Sequence, residues 1–289
     1  MNQINAPNKK LNLLTFSIAI IISLAISAPL FFMIRTSLSI PPTGTGFYIP
    51  NTWTLKNYLI IFNQHNFSII LKTFQFAFEI SICATALSFG IAVLIKNSST
   101  AYKTIFFIIL IMPKLFNPLV IILGLQKLLG DHGLINESIM NLLKNTEPLN
   151  LIRNHIGALI GEIYLIIPLT TILIYAHLVT INDEIHNTAK GLGANKWQIF
   201  IRIYLPLSYP GIYGAWMFSI IWGLGAFLGP LFLGSPAEYT ISNEIYHQFF
   251  EIGNWPKAST WAIFLTISML AFMIASSHFT KLPFTRSEK

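Results

Sequence analysis

The chain has 289 residues, of which 54% are hydrophobic and only 10% charged, and it carries a formal net charge of +7. Soluble domains hold about 25% charged residues, so this composition excludes an ordinary water-soluble globule and points to lipid as the solvent. The basic residues are scattered over loops and ends without forming a stripe, which argues against a nucleic-acid surface.

Lys9 and Lys10 precede a first apolar run, Leu11–Arg35. It is longer than the roughly 7–15 apolar residues of a signal peptide, so an uncleaved transmembrane helix is expected. A span needs about 20 apolar residues at about 1.5 Å per residue. By that measure Ser68–Ile95, Thr104–Leu129, His155–Ile181, Leu207–Leu233 and Ala258–Thr280 follow as five more. None shows the alternation of a barrel strand. The expected fold is all-α: a polytopic membrane protein of six transmembrane helices, with residues 1–289 forming one domain. The one cysteine, Cys83, lies in an apolar run and permits no intrachain disulfide.

Between the spans, Thr36–Phe67, Gly130–Asn154 and Gly234–Lys257 are long and polar or aromatic, fit either to receive an external partner or to serve as connectors. With the N-terminus inside, the inner segments hold Lys9, Lys10, Lys96, Lys103, Lys190, Lys196, Arg202, Lys281, Arg286 and Lys289. The outer ones hold Arg35, Lys56, Lys127, Lys144, Arg153 and Lys257. Ten against six favours both termini in the cytoplasm.

Charges within spans are costly and functional by default. Lys72 and Glu79 are seven residues apart, on nearly one helix face; Lys114 lies between Pro113 and Pro118; Glu162 sits in the fourth span. Glu79 and Glu162 are candidates to line a pathway, against the alternative of structural pairing between helices. Gly157-x3-Gly161 and Gly225-x3-Gly229 suit close helix contacts. His155, His177, His186 and His247 show no metal-ligand spacing and read as isolated loop or interface residues. No P-loop, H-E-x-x-H or G-x-S-x-G motif occurs. No cofactor or metal is expected.

The polar gap between the fourth and fifth spans is the most informative segment. Asn182 or Asp183 can cap a helix, and Asp183 and Glu184 complement its dipole. Ile185, Ala189 and Leu192 would make one apolar face, Gly191 and Gly193 would break the helix, and Asn195 would cap the next. Trp197, Phe200, Ile201 and Tyr204 would form a second stripe, and Pro206 would end the run. Such a knob can dock into a protein partner or lie on lipid.

The order Asn187-Thr188-Ala189, three residues, Gly193, nine residues, Ile203-x-Leu205-Pro206 resembles the E-A-A-x3-G-x9-I-x-L-P loop of ABC importer permeases. Leu205–Ile212 is similar to the "LPLSLPGI" that follows that loop. Gly225–Gly234 is similar to the "GEFVTPALLGG" stretch, and Gln248-Phe249 with Trp255-Pro256 to the "QF…WP", of the spermidine/putrescine branch. Asn187 stands where the family has glutamate, with Glu184 one turn earlier, and Ala226 replaces an acid of the polyamine branch.

The resemblance implies a non-catalytic permease subunit of type I arrangement in a bacterial inner membrane, importing a polyamine. Ferric iron, thiamine and an aminophosphonate are the alternative solutes of the same family. It implies ABC ATPase subunits docked on residues 183–206, with Glu184, Asn187, Thr188, Ala189, Gly193, Trp197, Phe200, Ile203, Leu205 and Pro206 as the coupling residues. A second permease subunit, the same or different, and an extracytoplasmic solute-binding protein complete the implied assembly. A secondary transporter would instead show inverted halves with a charged midplane site, and a membrane enzyme clustered nucleophiles or metal ligands; the sequence fits neither well.

Overall fold

A computed structural model describes residues 9–42, 46–143 and 147–279. Lys144, Thr280, Lys281, Arg286 and Lys289 lie outside the described residues. Among those described, all regular structure is helical. In chain order the helices are α1 (Lys9–Ser37), α2 (Lys56–Ile61), α3 (Gln64–Lys96), α4 (Thr100–Ile111), α5 (Pro118–Leu129), α6 (Leu134–Leu143) and α7 (His155–Leu178). They continue with α8 (Asp183–Gly191), α9 (Lys196–Ile199), α10 (Leu205–Leu207), α11 (Tyr209–Leu224), α12 (Leu228–Phe232), α13 (Ile241–Tyr246) and α14 (Trp255–Phe279).

Among the described residues, five stretches are long and apolar enough to cross a membrane: Phe16–Ser37, Gln64–Lys96, Pro118–Leu143, His155–Leu178 and Trp255–Ser277. Two expected spans are interrupted. The third, Thr104–Leu129, breaks into α4, a 3₁₀ turn at Met112–Leu115, and α5. The cause is Pro113 and Pro118, which lack the N–H that would continue the α-helical ladder. Lys103, which charge counting put in the loop, is in α4. The fifth span ends early, because α11 stops at Leu224 after 16 residues and α12 resumes at Leu228. Six crossings remain when each interrupted run is counted as one.

The described residues group into two compact units. The first contains residues up to 63 together with 245–266. Within it Asn57 Nδ2 donates to the Ser37 and Ser39 carbonyls at 2.9 and 2.8 Å. The Arg35 guanidinium lies 4.3 Å from the Trp53 ring centroid.

The second unit contains residues 64–244 and the chain from 267. Its centre is the packing of α3, α7 and α11, with Phe76, Ile80, Ala84, Ala158, Ile166 and Ala226 buried together. Small residues set the spacing. A Cβ on Gly223 would stand 2.6 Å from the Ala77 Cα, and one on Gly157 2.7 Å from the Leu233 carbonyl oxygen. Gly161 and Gly229 are equally tight, whereas Gly225 makes only ordinary contact, so the expected Gly225-x3-Gly229 face is carried by Gly223 and Gly229. Polar groups add to it: Ser88 Oγ and Thr170 Oγ1 are 2.6 Å apart between α3 and α7.

Candidate functional site

The knob between α7 and α11 is built from three local devices. First, Asn182 Oδ1 accepts from the Glu184 N–H at 2.9 Å and starts α8, so Asn182 rather than Asp183 is the cap. Second, α8 ends in a left-handed residue. Gly193 has φ +85°, its N–H donates to the Lys190 carbonyl at 3.1 Å, and the Ala194 N–H donates to the Ala189 carbonyl at 3.0 Å. This paired closure is a Schellman ending, and it favours glycine because a Cβ is disfavoured at positive φ. Gly191, expected to share in the break, stays helical. Third, Asn195 and Gln198 exchange hydrogen bonds of 2.8 and 2.9 Å in a capping box that starts α9.

Pro206 does not end the helical run. A single π-turn over Phe200–Tyr204 precedes it, with the Leu205 N–H reaching back to the Phe200 carbonyl. The wider turn absorbs the missing proline N–H. The chain then passes through α10, the Ser208 N–H bonds the Tyr204 carbonyl at 2.9 Å, and α11 follows.

The knob's side chains divide between the interior and the surface. Ile199 and Tyr204 are buried with Phe89, Val93, Ile174, Leu178 and Ile181, while Ala189, Ala194, Phe200 and Ile203 pack against that group. Trp197 is 68% exposed, Leu192 85% exposed, and Ile185 and Ile201 are exposed as well. Each expected apolar stripe is therefore divided: Ala189, Phe200 and Tyr204 face inward, and Ile185, Leu192, Trp197 and Ile201 face outward. The Trp197 and Phe200 rings stack at 5.6 Å. Glu184, Asn187, Thr188, Leu205 and Pro206 are exposed.

The knob is fastened to the long helices by two residues that sequence reasoning did not single out for this role. Lys96 Nζ donates to the Leu178 and Ile181 carbonyls, both at 2.8 Å, and lies 5.4 Å from the Tyr204 ring centroid. Beside it the Tyr204 hydroxyl donates to Asn97 Oδ1 at 2.9 Å. The only sequence signal was a Lys-Asn pair at the end of an apolar run.

The two candidate pathway carboxylates sit elsewhere and apart. Glu79 Oε2 meets His155 Nε2, and His155 Nδ1 lies 2.6 Å from Glu238 Oε2. His155 is therefore not isolated; it joins α3 and α7 to the turn before Tyr239. Lys72 does not pair with Glu79 but donates to the Ala237 carbonyl at 3.0 Å.

Glu162 is 2% exposed. Its Oε1 accepts from the Gly229 N–H at 2.9 Å and its Oε2 from Trp222 Nε1 at 3.0 Å. It thus satisfies backbone freed where the chain unwinds between α11 and α12. Thr240 Oγ1 donates to the Ala226 carbonyl at 2.9 Å, and Asn243 Nδ2 to that of Phe227 at 3.3 Å, at the same break. Lys114 reaches the Leu165 carbonyl and lies 5.1 Å from the Trp222 ring centroid. Glu162 borders a cavity of about 430 Å³, shared with Pro118, Phe218, Trp222 and Phe227.

The knob between the two spans is thus apolar, exposed on its outer side and rooted on the ends of α3 and α7. Residues 7–282 match the family described as "Binding-protein-dependent transport system inner membrane component". The chain belongs to this family. It is a permease component of an ABC importer, a transport subunit and not an enzyme.

Among similar proteins, the spermidine/putrescine transport system permease protein PotB of Haemophilus influenzae is 25% identical over 226 residues, covering 78% of this chain and 79% of that one. PotB of Escherichia coli strain K12 is 27% identical over 222 residues, covering 77% and 81%. A crystal structure of a bacterial ABC transporter involved in the import of the acidic polysaccharide alginate shares the fold, with TM-score 0.75, 16% identity, and coverage of 96% and 98%. The permease fold thus extends over nearly the whole chain.

Proposed function

We propose that this permease imports a polyamine of the spermidine/putrescine class, works as one domain over residues 1–289, and is driven by an ABC ATPase docked on residues 183–206. The observation that carries the substrate class is similarity to polyamine permeases over more than three quarters of both chains. The coupling role is supported by the exposed Leu192 and Trp197 on a knob whose root is closed by Lys96 and Tyr204. Gly193 makes the turn that closes α8, and Glu184, Asn187, Thr188 and Pro206 are exposed on the same segment. Asn187 supplies hydrogen bonds where a glutamate would supply a charge.

In this reading a second permease subunit completes the pathway, and a solute-binding protein delivers the polyamine at the face opposite the knob. Both termini lie with the knob in the cytoplasm. Glu162 reaches the pathway from the cavity it borders, whereas Glu79 is held by His155.

The test is ATP-dependent uptake by proteoliposomes that contain this chain with its co-expressed partner subunits and the loaded binding protein. Uptake of putrescine or spermidine is the expected result. Uptake of ferric iron, thiamine or an aminophosphonate in its place would discard the polyamine. Uptake by this chain alone without ATP would discard the coupled importer.

A further inference from the structure

We propose that the cleft at the end of α5 binds a phosphate-type oxyanion, supplied in the membrane by the headgroup of an anionic phospholipid. The cleft has a volume of about 400 Å³ and is bounded by Lys127, Gly130, Asp131, His132, Ile152 and Arg153. Lys127 and Arg153 are both exposed. Among the described residues neither side chain makes a hydrogen bond or an ion pair, to Asp131 or to any other group. Two cationic residues thus line the cleft against one carboxylate, Asp131.

The backbone of Arg153 adds a second argument. Its φ is +59°, in the left-handed region that costs a non-glycine residue about 1 kcal/mol and that glycine occupies freely. Arginine is an unfavourable choice there for backbone reasons, so the guanidinium is what the position supplies. The peptide is held in place by the Arg153 N–H, which donates to the Leu233 carbonyl at 2.6 Å.

The walls are fixed before any ligand arrives. Buried Asn136 donates through Nδ2 to the carbonyls of Leu129, Gly130 and Leu149 at 3.1, 2.9 and 3.0 Å. Its Oδ1 accepts from the Leu149 N–H at 2.9 Å. Gln126 Nε2 donates to the Phe232 carbonyl at 3.0 Å. A planar guanidinium suits the oxygens of a phosphate in pairs, with a lysine beside it as a point charge.

The surroundings favour a lipid source. The cleft lies where α5 ends within the apolar stretch Pro118–Leu143, and Leu128 before it and Leu134, Leu142 and Leu143 after it expose their side chains. Acyl chains can cover those residues while the headgroup enters the cleft.

The full-length chain would be placed in nanodiscs of phosphatidylcholine with added phosphatidylglycerol, and the lipid it retains counted by native mass spectrometry. R153G is the informative variant, because it removes the guanidinium while suiting the left-handed backbone; K127Q is its companion. R153G is expected to retain about tenfold less phosphatidylglycerol, the loss of roughly one charge-assisted hydrogen bond, with phosphatidylcholine retention and Tm undiminished. If instead millimolar inorganic phosphate raises the Tm of the parent chain but not of R153G, and phosphatidylglycerol retention does not differ, the oxyanion site stands with free phosphate as its source. Equal phosphatidylglycerol retention by the parent and both variants, with no response to phosphate, overturns the proposal.

Discussion

The Lys96 ammonium lies 2.8 Å from the Ile181 carbonyl oxygen, across the seam between the last turn of α3 and the residues that leave α7. The carbonyls at a helix C-terminus have no partner within the helix, and a cation there is also favoured by the negative end of the helix dipole. Lys96 meets both needs and touches the Tyr204 ring as well. Two long helices and the knob are therefore joined at one point.

Lys96→Met keeps the aliphatic stem and removes the donors. With water able to replace part of what is lost, a cost of about 2 kcal/mol is expected. The chain should still insert, but with a lowered Tm and less solute moved per ATP hydrolysed in proteoliposomes. An unchanged ratio of uptake to hydrolysis would show that the clamp plays no part in transmission.

At Gly193 sterics and conformation can be separated. A Cβ added there would meet no atom within 4 Å, yet φ is +85°. Asparagine tolerates that region better than most side chains, so Gly193→Asn should cost under about 1 kcal/mol and keep ATPase association. Gly193→Asp adds a charge beside the exposed Leu192 and should abolish both co-purification of the ATPase and uptake, with the protein still inserted. Normal uptake by the aspartate variant would remove the knob from the docking interface.

Asn187→Glu places an acid at an exposed position of α8. Assembly with the ATPase, measured by co-purification, should be retained or strengthened. Complete loss would mean that the partner surface has adapted to asparagine.

Gly223 and Gly214 make a matched pair in α11. A methyl at Gly223 would press on the Ala77 backbone at 2.6 Å, whereas one at Gly214 meets nothing within 4 Å. Gly223→Ala should destabilise by about 1–3 kcal/mol through overpacking, and Gly214→Ala should be neutral or stabilising. Equal melting temperatures for the two would show that α3 and α11 can part without cost.

Much of this was legible in the sequence because it depends on near neighbours. Long apolar runs mark the spans, and Asn182, Gly193 and Asn195 announce local caps whose partners lie within five residues. What escaped depends on distant pairing or on small changes of phase. Tyr204, at the end of the π-turn, is buried while Trp197 and Ile201 of the same expected stripe are exposed. Lys96 meets Ile181 across 85 residues, and His155 meets Glu79 across 76; neither spacing carries a periodic signal. The interrupted spans were marked by Pro113, Pro118 and Gly225, but composition alone does not say whether a proline kinks a helix or stops it.

The break between α11 and α12 bears on how the protein is made. Its freed backbone is closed by Glu162, which precedes it in the chain, and by Thr240 and Asn243, which follow it. Lipid offers no substitute for these partners. During synthesis this crossing cannot settle alone as it leaves the ribosome; it depends on α7 already being in place and becomes complete only once the chain has been extended past Asn243.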